Sequence, residues 1–476
     1  MTESMTYALP TSLGLMIISI FGVIWIVYGW YLGRNNRTHD DFALAGRQVG
    51  LGLASATAMA TWVTSNTTLV APQLAYQLGI WGMVGYSFAA LGLILFAPLA
   101  ARIKLLMPKG HTSGDFIRLR FGRQAWWPFI VISLIYAIGW LVSLGMAGGI
   151  LLQALTGLDY HTGMSIILLV CVMYTLFGGL RAVIATDFIQ TIVIIVGVVV
   201  TAWFLIDNVS LDVIHNELQH HHPRLLDMLF PAALMFLFNN IFFGLGEIFH
   251  SNVWWSRALA FRKDVAFKAF ILSGLLWLPI PIVTGFIALA APYLGIYPPS
   301  ADMIGPMVTA HVLGKFGAVL VLIIVFSALA SSLDSLLAAT ADLITRDIYC
   351  QFIAPQASDK QLICVNRFCL AGLGVFTWLL CLPQVATLAA LLHFTGAFVA
   401  STIFPIVLGL YHPNLSGRTA ALAMTCGSVI GLLSYFVVGF YVAALTSCAV
   451  SMVICVVGLR TSNFSFRWQH IREHDS

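Results

Sequence analysis

The sequence predicts an all-α polytopic membrane protein, and three observations carry that expectation. Of its 476 residues, 60% are hydrophobic and only 9% are Asp, Glu, Lys or Arg, against about 25% charged residues in a soluble domain. Mean hydropathy is +0.93, so most of the outer surface must face lipid. The apolar residues fall in runs long enough to cross a hydrocarbon core about 30 Å thick as helices, which gives room for about 12 to 14 spans. No stretch is left over for a soluble catalytic domain. That argues against a kinase, a nucleic-acid binder or a conventional metabolic enzyme. The eight cysteines lie mostly inside apolar runs, without metal-ligand or redox spacing, and read as small buried apolar residues. Residues 1–10 lack the basic flank of a signal peptide, so the first apolar run reads as a retained helix.

Runs bounded by charge, Pro or Gly give thirteen spans. Counted from zero they cover 13–32, 51–70, 81–101, 126–155, 164–179, 184–205, 229–253, 266–291, 316–341, 368–382, 388–410, 420–438 and 441–459. With the N-terminus outside, 21 of the 23 Lys and Arg residues, Arg257 among them, fall on inner connections; only Arg224 and Lys315 do not. The positive-inside rule thus places the C-terminus in the cytoplasm of a plasma (inner) membrane protein. Trp126-Trp127 and Trp254-Trp255, at span ends, read as interfacial anchors.

Two spans are poorly suited to continuous helix. Span one carries Thr61, Thr64, Ser65, Asn66, Thr67 and Thr68; span six carries Asn239, Asn240, Gly244, Gly246 and Glu247. Interrupted helices at matching places in two halves point to an inverted-repeat transporter with a binding site at mid-membrane. The alternative is hydroxyls bonded back to their own helix and glycines that let helices pack closely. The domain reading follows: 1–50 an extra helix and loop, 51–206 the first repeat, 207–412 the second, 413–476 two C-terminal helices and a tail.

Few acidic residues lie within spans: Asp187, Glu247, Asp334 and, near an inner end beside Arg346, Asp342. A carboxylate at the bilayer centre costs at least ~2.5 kcal/mol, and such residues usually line ion or substrate paths. In span eight, Ala328, Ser331, Ser332 and Ser335 fall on one helical face beside Asp334. A stripe of hydroxyls with one carboxylate suits sodium, a hard cation that takes oxygen ligands. For a polar solute, Thr64, Ser65 and Asn66 offer hydrogen bonds and Trp62 an aromatic wall, with Glu247 and Asn252 from span six. His393 reads as a packing residue, and His220-His221-His222 as a solvated loop.

Several stretches resemble the sodium:solute symporter family: Phe42-Ala43-Leu44-Ala45-Gly46-Arg47, Gly178-Gly179-Leu180-Arg181-Ala182-Val183 running into Thr186-Asp187-Phe188-Ile189-Gln190, and Ser331-Ser332 with Arg346-Asp347-Ile348-Tyr349. The resemblance runs from about Asp41 to about Leu410. It implies the LeuT-type fold, a five-plus-five inverted repeat, here with 13 transmembrane helices. It also implies a principal sodium site made by the carbonyls of Ala60, Val63 and Ala328 and the hydroxyls of Ser331 and Ser332. Asp187 matches an aspartate associated with sodium passage or a second sodium site, to which Asp334 and Ser335 would contribute. Asp334 departs from the family's hydroxyl there, and either ligates sodium or carries a proton.

Three further stretches resemble the urea-active branch: Thr61-Trp62 with Ala75-Tyr76 and Gly79, Pro108-Lys109-Gly110-His111-Thr112, and Trp254-Trp255-Ser256-Arg257-Ala258. The resemblance implies a non-enzymatic, sodium-coupled symporter of urea or a related nitrogenous solute, with Na+ as coupling ion, H+ as the alternative, and no organic cofactor. Its partners are the solute and the bilayer, not nucleic acid. The alternatives are a symporter-like sensor module and proton-coupled uptake of an amine, amino acid or sugar. The solute and the oligomeric state stay open.

Overall fold

The computed structural model describes residues 8–34, 36–208, 210–384, 386–462 and 464–474, and within them the chain is a bundle of helices. Along the chain run α1 (Thr11–Gly33), α2 (Leu51–Trp62), α3 (Ser65–Leu78), α4 (Ile80–Leu106), α5 (Arg123–Thr156) and α6 (Tyr160–Asn208). Then come α7 (Pro231–His250), α8 (Asn252–Ala260), α9 (Ala266–Leu289), α10 (Ile304–Leu343), α11 (Asp359–Cys381), α12 (Leu388–Tyr411), α13 (Gly417–Val437) and α14 (Ala443–Thr461). Among the described residues, 11 helices are long and apolar enough to cross a membrane, against thirteen expected spans. The difference has two places. The expected span one is split into α2 and α3, neither long enough alone. The expected spans four and five are joined in α6, whose 49 residues are interrupted at Gly179 (φ 60, ψ −165). At about 1.5 Å per residue, an unbroken α6 would run about 73 Å, more than twice a bilayer core.

Gly179 can hold that backbone because it lacks a Cβ. One added there would lie 2.5 Å from the Phe42 carbonyl oxygen, with φ in the left-handed region. The Gly-Gly pair in 178–179 is therefore the joint where the chain turns against the stretch that precedes α2.

Lipid-facing composition and buried core separate by position. Exposed large apolar residues line α1, α6, α11, α13 and α14. The polar side chains of α2, α8 and the second half of α10 are buried, as are Ser65, Thr67, Thr68 and Gln73 of α3: α10 packs on α6, α5 and α3, and α2 lies against α6 and α9. Polar groups thus gather where helices shield them from lipid, as desolvation requires.

Three sequence expectations change here. The break in span six falls at Ser251 (φ −68, ψ 131), not among Asn239, Asn240, Gly244, Gly246 and Glu247, all of which lie in continuous α7. Asn239 and Gly246 serve packing. Asn239 Oδ1 accepts from the backbone of Ala444 (2.8 Å) and Leu445 (3.2 Å), and a Cβ on Gly246 would meet the Val399–Ala400 backbone at 2.7 Å. Second, Trp126, Trp254 and Trp255 are buried, so only Trp127 (51% exposed) is placed as an interfacial anchor. Third, Arg257, expected on an inner connection, sits within α8 with no exposed surface. His220 and His221 end an exposed helix, Leu211–His221, where His221 pairs with Glu217 one turn earlier (3.1 Å).

Candidate functional site: a broken helix against a serine-lined helix

The gap between α2 and α3 is a consequence of threonine chemistry. Thr64 has extended backbone (φ −86, ψ 168) and caps α3: its hydroxyl accepts from Thr67 N (3.0 Å), while Thr64 N donates to Thr67 Oγ1 (3.2 Å). In an unbroken helix those two N–H groups would serve the carbonyls of Ala60 and Val63, four residues earlier. The capping box takes both donors away. Two carbonyl oxygens at the break are left without their helical partners, and an oxygen-seeking cation is one way to satisfy them.

The helix facing this gap is α10. Ser332 Oγ lies 2.9 Å from the Thr61 carbonyl and 3.0 Å from that of Ala328. Ser331 donates its hydroxyl hydrogen to Asp187 Oδ1. That donation matters for ion binding, because a hydroxyl that gives its hydrogen elsewhere keeps its lone pairs for a cation. Ala60, Val63, Ala328, Ser331 and Ser332 are thereby set on the two facing elements, all of them buried.

Beside them lies a charged cluster whose central member the sequence reading missed. Arg257 Nη2 stands 3.2 Å from Asp187 Oδ2 and 2.7 Å from Ser335 Oγ, and also donates to Thr61 Oγ1. Its Nε donates to Thr57 Oγ1 (3.2 Å), which in turn donates to Asp187 Oδ2 (2.5 Å). Asp187 is held by a permanent cation and several hydroxyls, from α2, α8 and α10 together. Asp334, one turn after Ser331, contacts Tyr174 through Oδ2 (2.9 Å). The missed signal was available: Arg257 follows an Asn-Val-Trp-Trp-Ser run that starts a helix, so it lies five residues inside rather than beyond the span.

A second polar centre lies near the same break. Glu247 Oε1 accepts from the Tyr136 hydroxyl (3.0 Å), its Oε2 is buried without a hydrogen-bond partner, and the Trp62 indole lies beside it. Trp62 stacks on Trp277 (centroids 4.8 Å apart, 21° between planes) and meets Trp254 edge-on at 5.8 Å. The Nε1 groups of Trp140 and Trp254 are also buried and unpartnered. An open carboxylate oxygen, unpartnered indole donors and aromatic faces are groups able to hydrogen-bond to and stack on a small polar molecule. Of the other expected substrate residues, Ser65 has a buried, unpartnered hydroxyl, and Thr64 is engaged in the capping box. Asn252 bonds the Ala339 carbonyl (2.9 Å) and Ser113 N (3.0 Å), tying α8 to its neighbours. The Asn66 side chain lies outside the described residues. His393, as expected for a packing residue, bonds the Ala389 carbonyl (2.8 Å) among Phe236, Phe243 and Phe440.

A family model for the sodium:solute symporter family matches residues 42–427. The chain belongs to the sodium:solute symporter family. Among curated relatives of this symporter are the probable urea active transporter 1 of Schizosaccharomyces pombe (27% identical, covering 93% of this chain and 71% of the relative) and the urea active transporter of Saccharomyces cerevisiae (26%, 90% and 63%). A third is the urea-proton symporter DUR3 of Oryza sativa subsp. japonica (27%, 92% and 66%). The chain spans about two thirds of the length of these relatives. Its fold is that of a Na+-coupled sialic acid symporter solved substrate-bound and outward-open: TM-score 0.77 at 17% identity, covering 95% of this chain and 98% of that one. Mhp1, a nucleobase-cation-symport-1 family transporter, is similar at TM-score 0.54 and 15% identity, covering 92% of this chain and 99% of that one. The symporter is thus a multi-pass membrane protein of LeuT-type fold and a transporter rather than an enzyme.

The end of the bundle rich in basic residues is closed by a second network. Arg346 Nη2 donates to His39 Nδ1 (2.9 Å), so the ring hydrogen sits on Nε2, which faces Asp342 Oδ1 at 3.3 Å. Arg47 binds Asp40 (2.8 Å) and the carbonyls of Pro108, Lys109 and Gly110. Burial first, then Arg346 and His111, pull the His39 imidazole down from 6.5 to about 3, and burial likewise takes His111 to about 4. A histidine whose folded pKa is depressed is neutral in the native state and protonated in the unfolded one between the two values. Stability is therefore expected to fall as pH drops through about 6.5 toward 4. Unfolding temperatures across pH 8 to 4, with His39→Gln flattening the acid limb relative to wild type, check this.

Proposed function

We propose that this symporter moves a small polar solute, urea or a related nitrogenous compound, together with sodium by alternating access. The single observation that carries the reading is the pair of carbonyls, Ala60 and Val63, stripped of their helical donors opposite Ala328, Ser331 and Ser332. Five oxygens, all neutral, suit a monovalent hard cation. Sodium there would hold α2 and α10 together, and its loss would free them. One charge entering down 100 mV releases about 2.3 kcal/mol, and the chemical gradient adds to it. Orientation follows the basic residues, with the N-terminus outside and the C-terminus cytoplasmic, and the two repeats are read as 51–206 and 207–412.

Urea suits the Glu247 centre because its N–H groups match the open Oε2 and its carbonyl can accept from an indole. The names of the relatives support the same cargo. The test is tracer urea uptake into proteoliposomes: an inward sodium gradient is expected to drive accumulation above equilibrium, and choline in place of sodium at fixed pH to abolish it. Uptake indifferent to that exchange overturns sodium coupling. Glu247→Gln removes the charge from a hydrogen bond worth about 1.5–3 kcal/mol, so urea's apparent affinity is expected to fall about tenfold or more. An unchanged KM would take Glu247 off the substrate path.

A further inference from the structure

We propose that the solute, on leaving Glu247, is held at a second station on the cytoplasmic side, where His250 accepts one of its N–H groups and Ser133 donates to its carbonyl. The proposal rests on the transport reading above, but on side chains which that reading does not use. Between α5, the α7–α8 break and α10 lies a small cavity lined by Ser133, Tyr136, His250, Asn252, Thr340 and Leu343 among others. Two of its polar atoms, His250 Nε2 and Ser133 Oγ, are buried without a hydrogen-bond partner, in residues only 0% and 4% exposed. Native proteins leave few buried polar atoms unpaired, so two on one cavity point to a polar occupant. No acidic or basic side chain other than the imidazole lines it, which suits a neutral molecule rather than an ion.

The hydrogen inventory gives each orphan its role. His250 Nδ1 stands 2.8 Å from the Gly246 carbonyl. A carbonyl can only accept, so in the neutral ring the hydrogen sits on Nδ1 and Nε2 keeps a lone pair. The Ser133 hydroxyl has a hydrogen to give. One acceptor and one donor complement the N–H and carbonyl of a urea-like solute. The two centres are also in series. His250 follows Glu247 by three residues on α7, and Ser133 precedes Tyr136 by three on α5, so each pair shares a helical face. Tyr136 touches both centres: its hydroxyl donates to Glu247 Oε1 (3.0 Å), and its ring meets that of His250 edge-on, with centroids 4.6 Å apart. With the basic end cytoplasmic, His250 and Ser133 lie one turn further inward than Glu247 and Tyr136. Asn252, on the cavity wall, bonds the Ala339 carbonyl of α10 (2.9 Å) and Ser113 N (3.0 Å), so parting α8 from α10 would open the station to the cytoplasm.

The experiment compares the two faces of the membrane. Tracer urea with sodium is presented to right-side-out and to inside-out vesicles from cells expressing the full chain. His250→Asn keeps a donor near the Gly246 carbonyl and removes the Nε2 acceptor. Its KM for urea at the cytoplasmic face is expected to rise about tenfold, and its external KM to move less than about twofold. His250→Gln, whose amide oxygen can reach the place of Nε2, is expected to recover about threefold or more of that loss. A cytoplasmic KM that does not move in His250→Asn overturns the proposal and leaves the cavity to water alone; a shift of equal size at both faces overturns it too. A shift that His250→Gln does not reduce marks lost ring packing on Tyr136 and likewise overturns it. All three leave the transport reading standing, whereas failure of tracer to enter wild-type vesicles of either orientation overturns both. Where His250→Asn does not fold, Ser133→Ala is the second variant: its cytoplasmic KM is expected to rise about threefold or more, and an unmoved value overturns the proposal.

Discussion

Replacing Arg257 with methionine is expected to destabilise the protein by about 3–5 kcal/mol, the cost of leaving one partner of a buried ion pair uncompensated. Both Arg257 and Asp187 have no exposed surface, and their contacts join α2, α6, α8 and α10. The methionine fills much of the volume, so the loss is chiefly electrostatic. Thermal unfolding in detergent checks it, and the double variant Arg257→Met with Asp187→Asn is expected to recover part of the loss, because no unpaired charge remains. Additive losses in that cycle would mean the two residues act independently. Asp187→Asn alone leaves the guanidinium without its counter-charge, so reduced stability is expected there too.

Ser332→Ala is expected to raise the sodium concentration for half-maximal uptake about tenfold or more, equivalent to ~1.4 kcal/mol, with little change in unfolding temperature. Among the described residues its hydroxyl bonds the carbonyls of Thr61 and Ala328, each bond being worth about 1 kcal/mol net, so the fold tolerates its removal. An ion that takes its fifth oxygen from this residue does not. Initial rates across a sodium titration at saturating urea measure the effect. A normal titration in the folded variant would remove Ser332 from the sodium site.

The two centres were unequally legible. Thr64 and Thr67, three residues apart, are a capping pair that can be read in one dimension, and so is the i, i+3, i+4 serine face of 328–335. Polar groups at mid-span also announce themselves, because so few are tolerated in lipid. Arg257 was misplaced because counting charges by connection assumes that every arginine lies outside the membrane, and a buried ion pair violates that assumption. The tryptophans failed for the same reason. Trp126, Trp254 and Trp255 fall at span ends in the sequence, yet their rings turn inward, since an indole suits an interface and a polar cavity equally. Span six is broken five residues beyond the second of its glycines, because close helix approach at Gly244 and Gly246 and a true break at Ser251 look alike in one dimension.

The one-dimensional pattern by itself determined that this chain lives in a bilayer, roughly where it crosses, and that span one loses helical hydrogen bonds near its threonines. Those are properties of neighbours along the chain, governed by the local cost of exposing backbone and charge to lipid. Tertiary structure alone decided that Arg257 reaches Asp187 from 70 residues away, that Tyr174 stands 2.9 Å from both the Ala330 carbonyl and Asp334, and that Glu247 keeps an open oxygen among indoles. Pairing of buried charges depends on which helices pack, and packing is set by the whole bundle's shape rather than by any single helix's pattern.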